Sequence, residues 1–182
     1  FLMQQKNNDL IMRCFDSKVL ENRQVADDIF VLRVERGGAE AKAGQFYMLK
    51  SWDTELTLMR PISVFKEEVT DLWFMYRLVG RGTRSLSLLE KDSIVKLLGP
   101  CGNGYPCENL SGRVAVVGGG LGIPPLCETT KQLKQSGGSV DAYLGFRNVT
   151  FAVDDFEPWC DKIYISTENG ENGHRGFITE KG

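Results

Sequence analysis

Three stretches of the chain hold residues whose types and spacing suit the handling of anions. Arg60-Pro61-Ile62-Ser63 sets a guanidinium beside a hydroxyl, across a proline that fixes the local backbone; this is an arrangement for gripping phosphate. The same residues would also fit a surface arginine and an edge-strand proline. Met75-Tyr76-Arg77-Leu78-Val79-Gly80-Arg81-Gly82-Thr83 carries a strand-like run into a glycine turn at a helix start, with Thr83 expected as the N-cap. Free N–H groups and the positive end of the helix dipole attract phosphate there, although the glycines could equally serve backbone freedom alone. Val116-Val117-Gly118-Gly119-Gly120-Leu121-Gly122-Ile123-Pro124-Pro125 is a glycine loop between strand and helix, where bare backbone lets a pyrophosphate approach. It is not G-x-G-x-x-G: the last position falls on Ile123 counted from Gly118 and on Pro125 counted from Gly120. The next strand ends in Leu144-Gly145-Phe146-Arg147-Asn148, with no acidic residue to hold a ribose, so a standard Rossmann dehydrogenase is not expected.

Other chemistries lack material. There is one histidine, His174, in the glycine-rich loop Asn169 to Gly176, where a solvated side chain is expected, and Ser-His-Asp hydrolysis is disfavoured. Cys14, Cys101, Cys107, Cys127 and Cys160 form no C-x-x-C pair of the kind structural zinc or iron–sulfur sites use, so they read as reduced thiols and no metal ligands are expected. Cys101 reads as a small buried hydrophobe. With 22 Lys+Arg against 24 Asp+Glu and no basic block, a nucleic-acid partner is not expected. The 42% apolar content suffices for a globular core. No apolar run approaches the roughly 20 residues of a membrane span, residues 1–7 lack the layout of a signal peptide, and an intracellular, cytoplasmic protein is expected.

The elements that must position these residues change character once along the chain. Before residue 109, short alternating runs are punctuated by turns. Ile29 to Glu35 puts Phe30, Leu32 and Val34 on one face of a half-buried strand that ends at Gly37-Gly38, and Gln45 to Lys50, Asp71 to Val79 and Ser93 to Leu98 repeat the theme. An antiparallel β-barrel is the expected arrangement, interrupted by a short helix from Thr83 to near Lys91. From 109 on, Arg113 to Val117, Val140 to Phe146 and Lys162 to Thr167 are apolar strands, and Pro124 to Gln135 is a helix closed by Gly137-Gly138. The alternation predicts a parallel α/β sheet with helical crossovers. The expected division is a barrel domain over 1–108 and an α/β domain, incomplete as a sheet, over 109–182.

Taken in order, R-P-I-S, Y-R-x-x-G-x-G-T, Gly99-Pro100-Cys101-Gly102-Asn103-Gly104 and V-G-G-G-x-G-x-P-P-L make the chain resemble the ferredoxin–NADP reductase superfamily. Within it, the chain is most similar to the electron-transfer subunits of heteromeric, NAD-linked dihydroorotate dehydrogenases, with Leu144 to Asn148 and Thr167-Glu168-Asn169-Gly170 as further similar stretches. The resemblance implies FAD bound mainly by the barrel. Arg60 would face the pyrophosphate, Pro61 and Ile62-Ser63 would lie along the flavin with Ser63 near its reactive edge, and Met75, Tyr76 and Arg77 would follow the ribityl and phosphate portion. Gly82 and Thr83 would set the helix start against phosphate. Gly118, Gly119, Gly120 and Gly122 would leave room for the nicotinamide nucleotide, with Gly145 to Asn148 toward its adenosine end. Ile62 departs from the many superfamily members that place a stacking tyrosine there. The family's [2Fe–2S] cysteine cluster has no counterpart before Gly182, so that centre is expected only in a full-length form.

The function the resemblance implies is an FAD-dependent, NAD-linked oxidoreductase subunit of pyrimidine biosynthesis, exchanging electrons with an FMN-containing dihydroorotate dehydrogenase catalytic subunit in a hetero-oligomer. Hydride passes directly between nicotinamide and flavin, so no acid–base catalytic residue is expected. NAD is expected over NADP, since Arg147 alone offers a cation at the second strand's end. Two alternatives stand beside this reading: a reductase subunit of a ferredoxin-dependent transhydrogenase or hydrogenase, and a flavin-free interaction module.

Overall fold

The computed structural model describes residues 12–37, 40–52, 58–108, 110 and 112–181. The expectation drawn from residues 1–7 lies outside these, as do Gly38, Asn109 and Ser111.

Six strands form the first half: β1 (Arg13–Ala26), β2 (Ile29–Glu35), β3 (Phe46–Lys50), β4 (Arg60–Glu67), β5 (Asp71–Arg77) and β6 (Ile94–Cys101). They close into an antiparallel barrel in the order β1-β2-β5-β4-β3-β6, with β6 returning to β1. Alternation explains the interior, where Leu32, Val34, Leu49, Val64, Leu72, Phe74, Tyr76, Val95 and Leu97 are all buried in one cluster. The reading of β2 as half-buried needs correction. Its other face, Ile29 and Val31, is buried as well, together with Phe65 and Met75, in a second core that the barrel shares with the other half of the chain.

Between β5 and β6 lies α1 (Arg81–Ser87). Its N-cap is Gly80, not Thr83, and it stops at Leu88 rather than near Lys91. Thr83 stands at the third helical position and reaches backward: its hydroxyl accepts from the Val79 and Gly80 N–H groups and donates to the Gly80 carbonyl. The side chain thus caps the turn from inside the helix. Asp92, at φ 70, turns the chain into β6.

The second half carries β7 (Arg113–Gly119), α2 (Pro124–Gln135), β8 (Ser139–Phe146), β9 (Lys162–Thr167) and β10 (His174–Arg175). These strands form a parallel sheet in the order β10-β9-β8-β7. A 3-10 turn, Gly120–Gly122, leads directly into α2, where prolines open the first turn. Only the first crossover is helical. The segment between β8 and β9 instead runs through short-range turn bonds such as Phe156 N to Val153 O and Trp159 N to Phe156 O, and it buries Phe151 and Phe156 in the shared core. His174 is exposed as expected, but it belongs to a short strand beside Ser166 rather than to a loop. Cys101, read as buried, is half-buried at the end of β6, its Sγ 3.5 Å from the Leu98 carbonyl oxygen. Among the described residues no helix is long and apolar enough to cross a membrane.

Candidate functional site

The barrel opens where β4 and β5 part. Their ladder pairs Val64, Lys66 and Glu67 with Phe74, Trp73 and Leu72. Beyond Val64, residues Arg60 to Ser63 pair only toward β3, through Leu49, Met48, Tyr47 and Phe46. Met75 to Arg77 likewise pair toward β2. Pro61 is therefore tolerated in an interior strand, because its missing N–H falls where one neighbour has turned away. The splayed strand ends flank a cleft of about 500 Å³, within the range of about 300–1,000 Å³ usual for small-molecule sites. Eight of the residues singled out in the sequence line it: Arg60, Pro61, Ile62, Ser63, Met75, Tyr76, Arg77 and Thr83.

They contribute in different ways. Arg60 donates Nη1 to the Leu58 carbonyl at 2.9 Å and lays its guanidinium against Gly82. A Cβ on Gly82 would fall inside that guanidinium, so this glycine gives the arginine its place. The Tyr76 side chain runs into the barrel core, stacked on Phe30 with centroids 5.8 Å apart, and its hydroxyl donates to Asn22 Oδ1 at 3.2 Å. Burial pushes the phenol pKa well up, with the Asn22 hydrogen bond opposing. What Tyr76 offers the cleft is backbone. Arg77 is exposed and pairs through Nε with Asp28 at 3.0 Å. A pair this open to water is weak and readily traded for a phosphate. Ile62 packs against the barrel core without an aromatic ring to stack on a flavin.

The far wall of the cleft comes from the second half of the chain, through Leu121 and Pro125. Both lie within the glycine motif, which the sequence reading assigned to the nicotinamide nucleotide alone. Val79 completes the rim.

A second cleft of about 600 Å³ lies at the carboxyl ends of β7, β8 and β9, the edge where open α/β sheets hold ligands. Gly119, Gly120 and Gly145 line it from the sheet, and Arg77 with Asp27 and Asp28 from the barrel. Arg77 thus borders both clefts. The Asp27-Asp28 turn was missed in the sequence; its signal was a pair of turn residues breaking the alternation between β1 and β2. Gly120, at φ +52, occupies backbone space that favours glycine. Gly118 and Gly122 do not line either cleft. A Cβ on Gly118 would sit 2.6 Å from Leu126 Cδ1 and 3.3 Å from Ile123 Cα, so Gly118 serves strand-to-helix contact. Gly122 is open, with nothing within 4 Å of its Cβ position. Arg147 and Glu168 face one another at the rim of the second cleft, 4.0 Å apart.

The residues fit a flavin dinucleotide and a nicotinamide nucleotide. The first cleft offers a guanidinium held by glycine contact, a hydroxyl, strand backbone and apolar walls; the second offers bare glycine backbone beside Arg77. Among the described residues no group of three or more His, Cys, Asp or Glu side chains is placed to hold a metal.

No family model matches the chain. Among solved structures, a chain from a study of flavin-based electron bifurcation by the NADH-dependent reduced ferredoxin–NADP oxidoreductase superposes with a TM-score of 0.80 at 28% identity, over 91% of this chain and 61% of that one. Phthalate dioxygenase reductase superposes with a TM-score of 0.73 at 18% identity, over 87% of this chain and 53% of that one, and speaks for the fold. Among curated proteins, the dihydroorotate dehydrogenase B (NAD(+)) electron transfer subunit of Clostridium acetobutylicum is 42% identical over 163 residues, 90% of this chain and 65% of the relative. That of Clostridium perfringens is 39% identical over 173 residues, 94% of this chain and 69% of the relative. The chain therefore spans about two thirds of the length of these relatives. A closed antiparallel barrel, a parallel sheet whose glycine loop reaches back to the barrel, and identity sustained across nearly the whole chain place it in the family of dihydroorotate dehydrogenase B electron transfer subunits.

Proposed function

We propose that the barrel half, residues 1–108, binds FAD in the first cleft, that the half from 109 to 182 receives NAD in the second, and that electrons pass between the two. The observation that carries this reading is the shared geometry of the clefts. Leu121, in the 3-10 turn before α2, and Pro125, in the first turn of α2, wall the cleft that Arg60 to Ser63 open, and Arg77 borders both spaces. A ring seated on Ile62 and Ser63 would meet a second ring entering over Gly119 and Gly120. Arg60 and Arg77 supply positive charge for diphosphate, with the α1 turn at Gly82 and Thr83 completing the grip. Bound FAD supplies the chemistry that joins two-electron hydride exchange to one-electron partners; the protein's part is to orient the rings and exclude water. The end of β8 offers a 2′-phosphate one cation, Arg147, with Glu168 4.0 Å from it, which suits NAD rather than NADP.

In the assembled enzyme the partner is an FMN-containing catalytic subunit that oxidises dihydroorotate in the cytoplasm, reached through the [2Fe–2S] centre of the full-length form. A second reading, a ferredoxin-linked reductase, is favoured by the similarity to the bifurcating oxidoreductase. The test is flavin retention and donor choice in the full-length protein. Purified wild type is expected to carry a flavin absorption band that Arg60→Ala loses, and to be reduced by dihydroorotate when the catalytic subunit is present. Reduction by ferredoxin instead would select the second reading, and no flavin binding after FAD addition would overturn both.

A further inference from the structure

We propose that Glu128 and Lys131, on the α2 face turned to the barrel, are positioning residues that set the separation between the flavin-side and nicotinamide-side walls; the inference rests on the function proposed above. The first four residues of β4 line the first cleft, and its last, Glu67, is clamped to α2. The Glu67 N–H donates to Glu128 Oε2 at 3.0 Å, and the Glu67 carbonyl accepts from Lys131 Nζ at 2.7 Å. Lys131 Nζ also lies 3.5 Å from Glu128 Oε2, one helical turn away. A second thread runs through Gln132, which donates to Glu128 Oε1 at 3.3 Å and accepts from the Ala43 N–H at 3.2 Å.

The clamp is buried and charged. Glu128 is 4% exposed and Glu67 8%, and the groups facing them are Arg36, Glu40 and Glu68 from the barrel side and Lys131 from α2. An apolar contact between helix and strand could slide, whereas hydrogen bonds to backbone atoms at fixed positions hold one register. Both clamped elements run from the clamp to the cleft. β4 begins there with Arg60 to Ser63, and the first turn of α2 reaches it at Pro125, three residues before Glu128. Movement at the clamp must therefore appear as a change in cleft width. Hydride transfer requires reacting atoms about 3–3.5 Å apart, and a shift of about 1 Å can cost on the order of a hundredfold in rate. Glu67, Glu128, Lys131 and Gln132 line neither cleft, so loss of the clamp should change the rate rather than the affinities.

The experiment is anaerobic stopped-flow reduction of the FAD-loaded full-length protein by NADH. Glu128→Ala is expected to lower the limiting reduction rate about tenfold or more, while the half-saturating NADH concentration and the FAD stoichiometry move less than about twofold. Glu128→Gln keeps an oxygen to accept from the Glu67 N–H and is expected to restore most of the rate. Lys131→Met keeps the stem without the donor and should be slow like Glu128→Ala; it carries the test if that variant does not fold. Unchanged limiting rates in folded Glu128→Ala or Lys131→Met would overturn the proposal, as would a Glu128→Gln protein no faster than Glu128→Ala. Equal losses in rate, NADH affinity and FAD content would do the same, by reducing the clamp to a stabilising contact. A wild type that NADH does not reduce would instead overturn the function on which the inference rests.

Discussion

At the scale of single residues, the site depends on what glycine leaves out. Gly82 sits inside α1, where alanine would ordinarily favour the helix by up to about 1 kcal/mol, yet its Cβ would displace the Arg60 guanidinium. Gly82→Ala should therefore leave thermal stability level or slightly raised while weakening FAD binding about tenfold, the scale of one charge-assisted contact; equilibrium titration with FAD would check it, and unchanged affinity would contradict the Arg60 assignment. Glu67 offers a second test. Its Oε2 accepts from the Ala41 N–H at 2.8 Å and Arg36 Nε lies 3.0 Å from Oε1. Burial nonetheless dominates and pushes its pKa from 4.5 to about 7, with Arg36 opposing. A carboxyl raised in the folded state stabilises the fold when protonated, so its contribution is complete below pH 4.5 and is lost as pH rises toward and through 7. Glu67→Gln should gain on wild type by roughly 3 kcal/mol between pH 4 and pH 8, measured by denaturant unfolding. A pH-independent difference would show that Glu67 titrates normally. Residue types pointed to Arg60 and Ser63 and the family resemblance to Arg77, and the fold brings all three to one cleft. Neither could reveal that Thr83 caps backward or that Tyr76 spends its hydroxyl on Asn22, because those outcomes depend on neighbours brought in by the fold.

At the scale of elements, periodicity carried most of the reading, and where it was broken the element was missed. β2 and β9 were legible to the residue because short apolar runs, Ile29 to Leu32 and Ile163 to Ile165, mark them. β1 was not, since its fourteen residues are largely polar and its pairing with β2 shifts register between Val19 and Glu21 and again between Gln24 and Ala26. The crossover from β8 to β9 failed in the other direction: alternation implied a helix, but Phe151 and Phe156 reach the core from turns. The glycine loop shows the limits of a motif. Its first member, Gly118, is required by the closeness of β7 to α2, so Gly118→Ala should cost about 1–3 kcal/mol of stability through overpacking against Leu126 and the Ile123 backbone. A variant as stable as wild type by chemical denaturation would return Gly118 to the nucleotide.

At the scale of the whole molecule, the two halves share one core. Ile29, Val31, Phe65 and Met75 from the barrel pack with Val116, Cys127, Leu144 and Phe156 from the other half, which is why both faces of β2 are apolar and why Leu121 and Pro125 can wall the cleft that Arg60 to Ser63 line. The sequence divided the chain into a barrel and a parallel sheet, but it held no sign of how they meet, because a strand buried by a neighbouring domain and one buried by its own sheet show the same composition. That meeting makes the central claim testable. Anaerobic addition of NADH to the FAD-loaded full-length protein, followed by the flavin absorption band, is the most direct measurement. Clefts joined across Arg77 predict rapid and stoichiometric bleaching of the band by NADH; a bound flavin that NADH leaves oxidised would contradict the placement of nicotinamide and flavin at this shared wall.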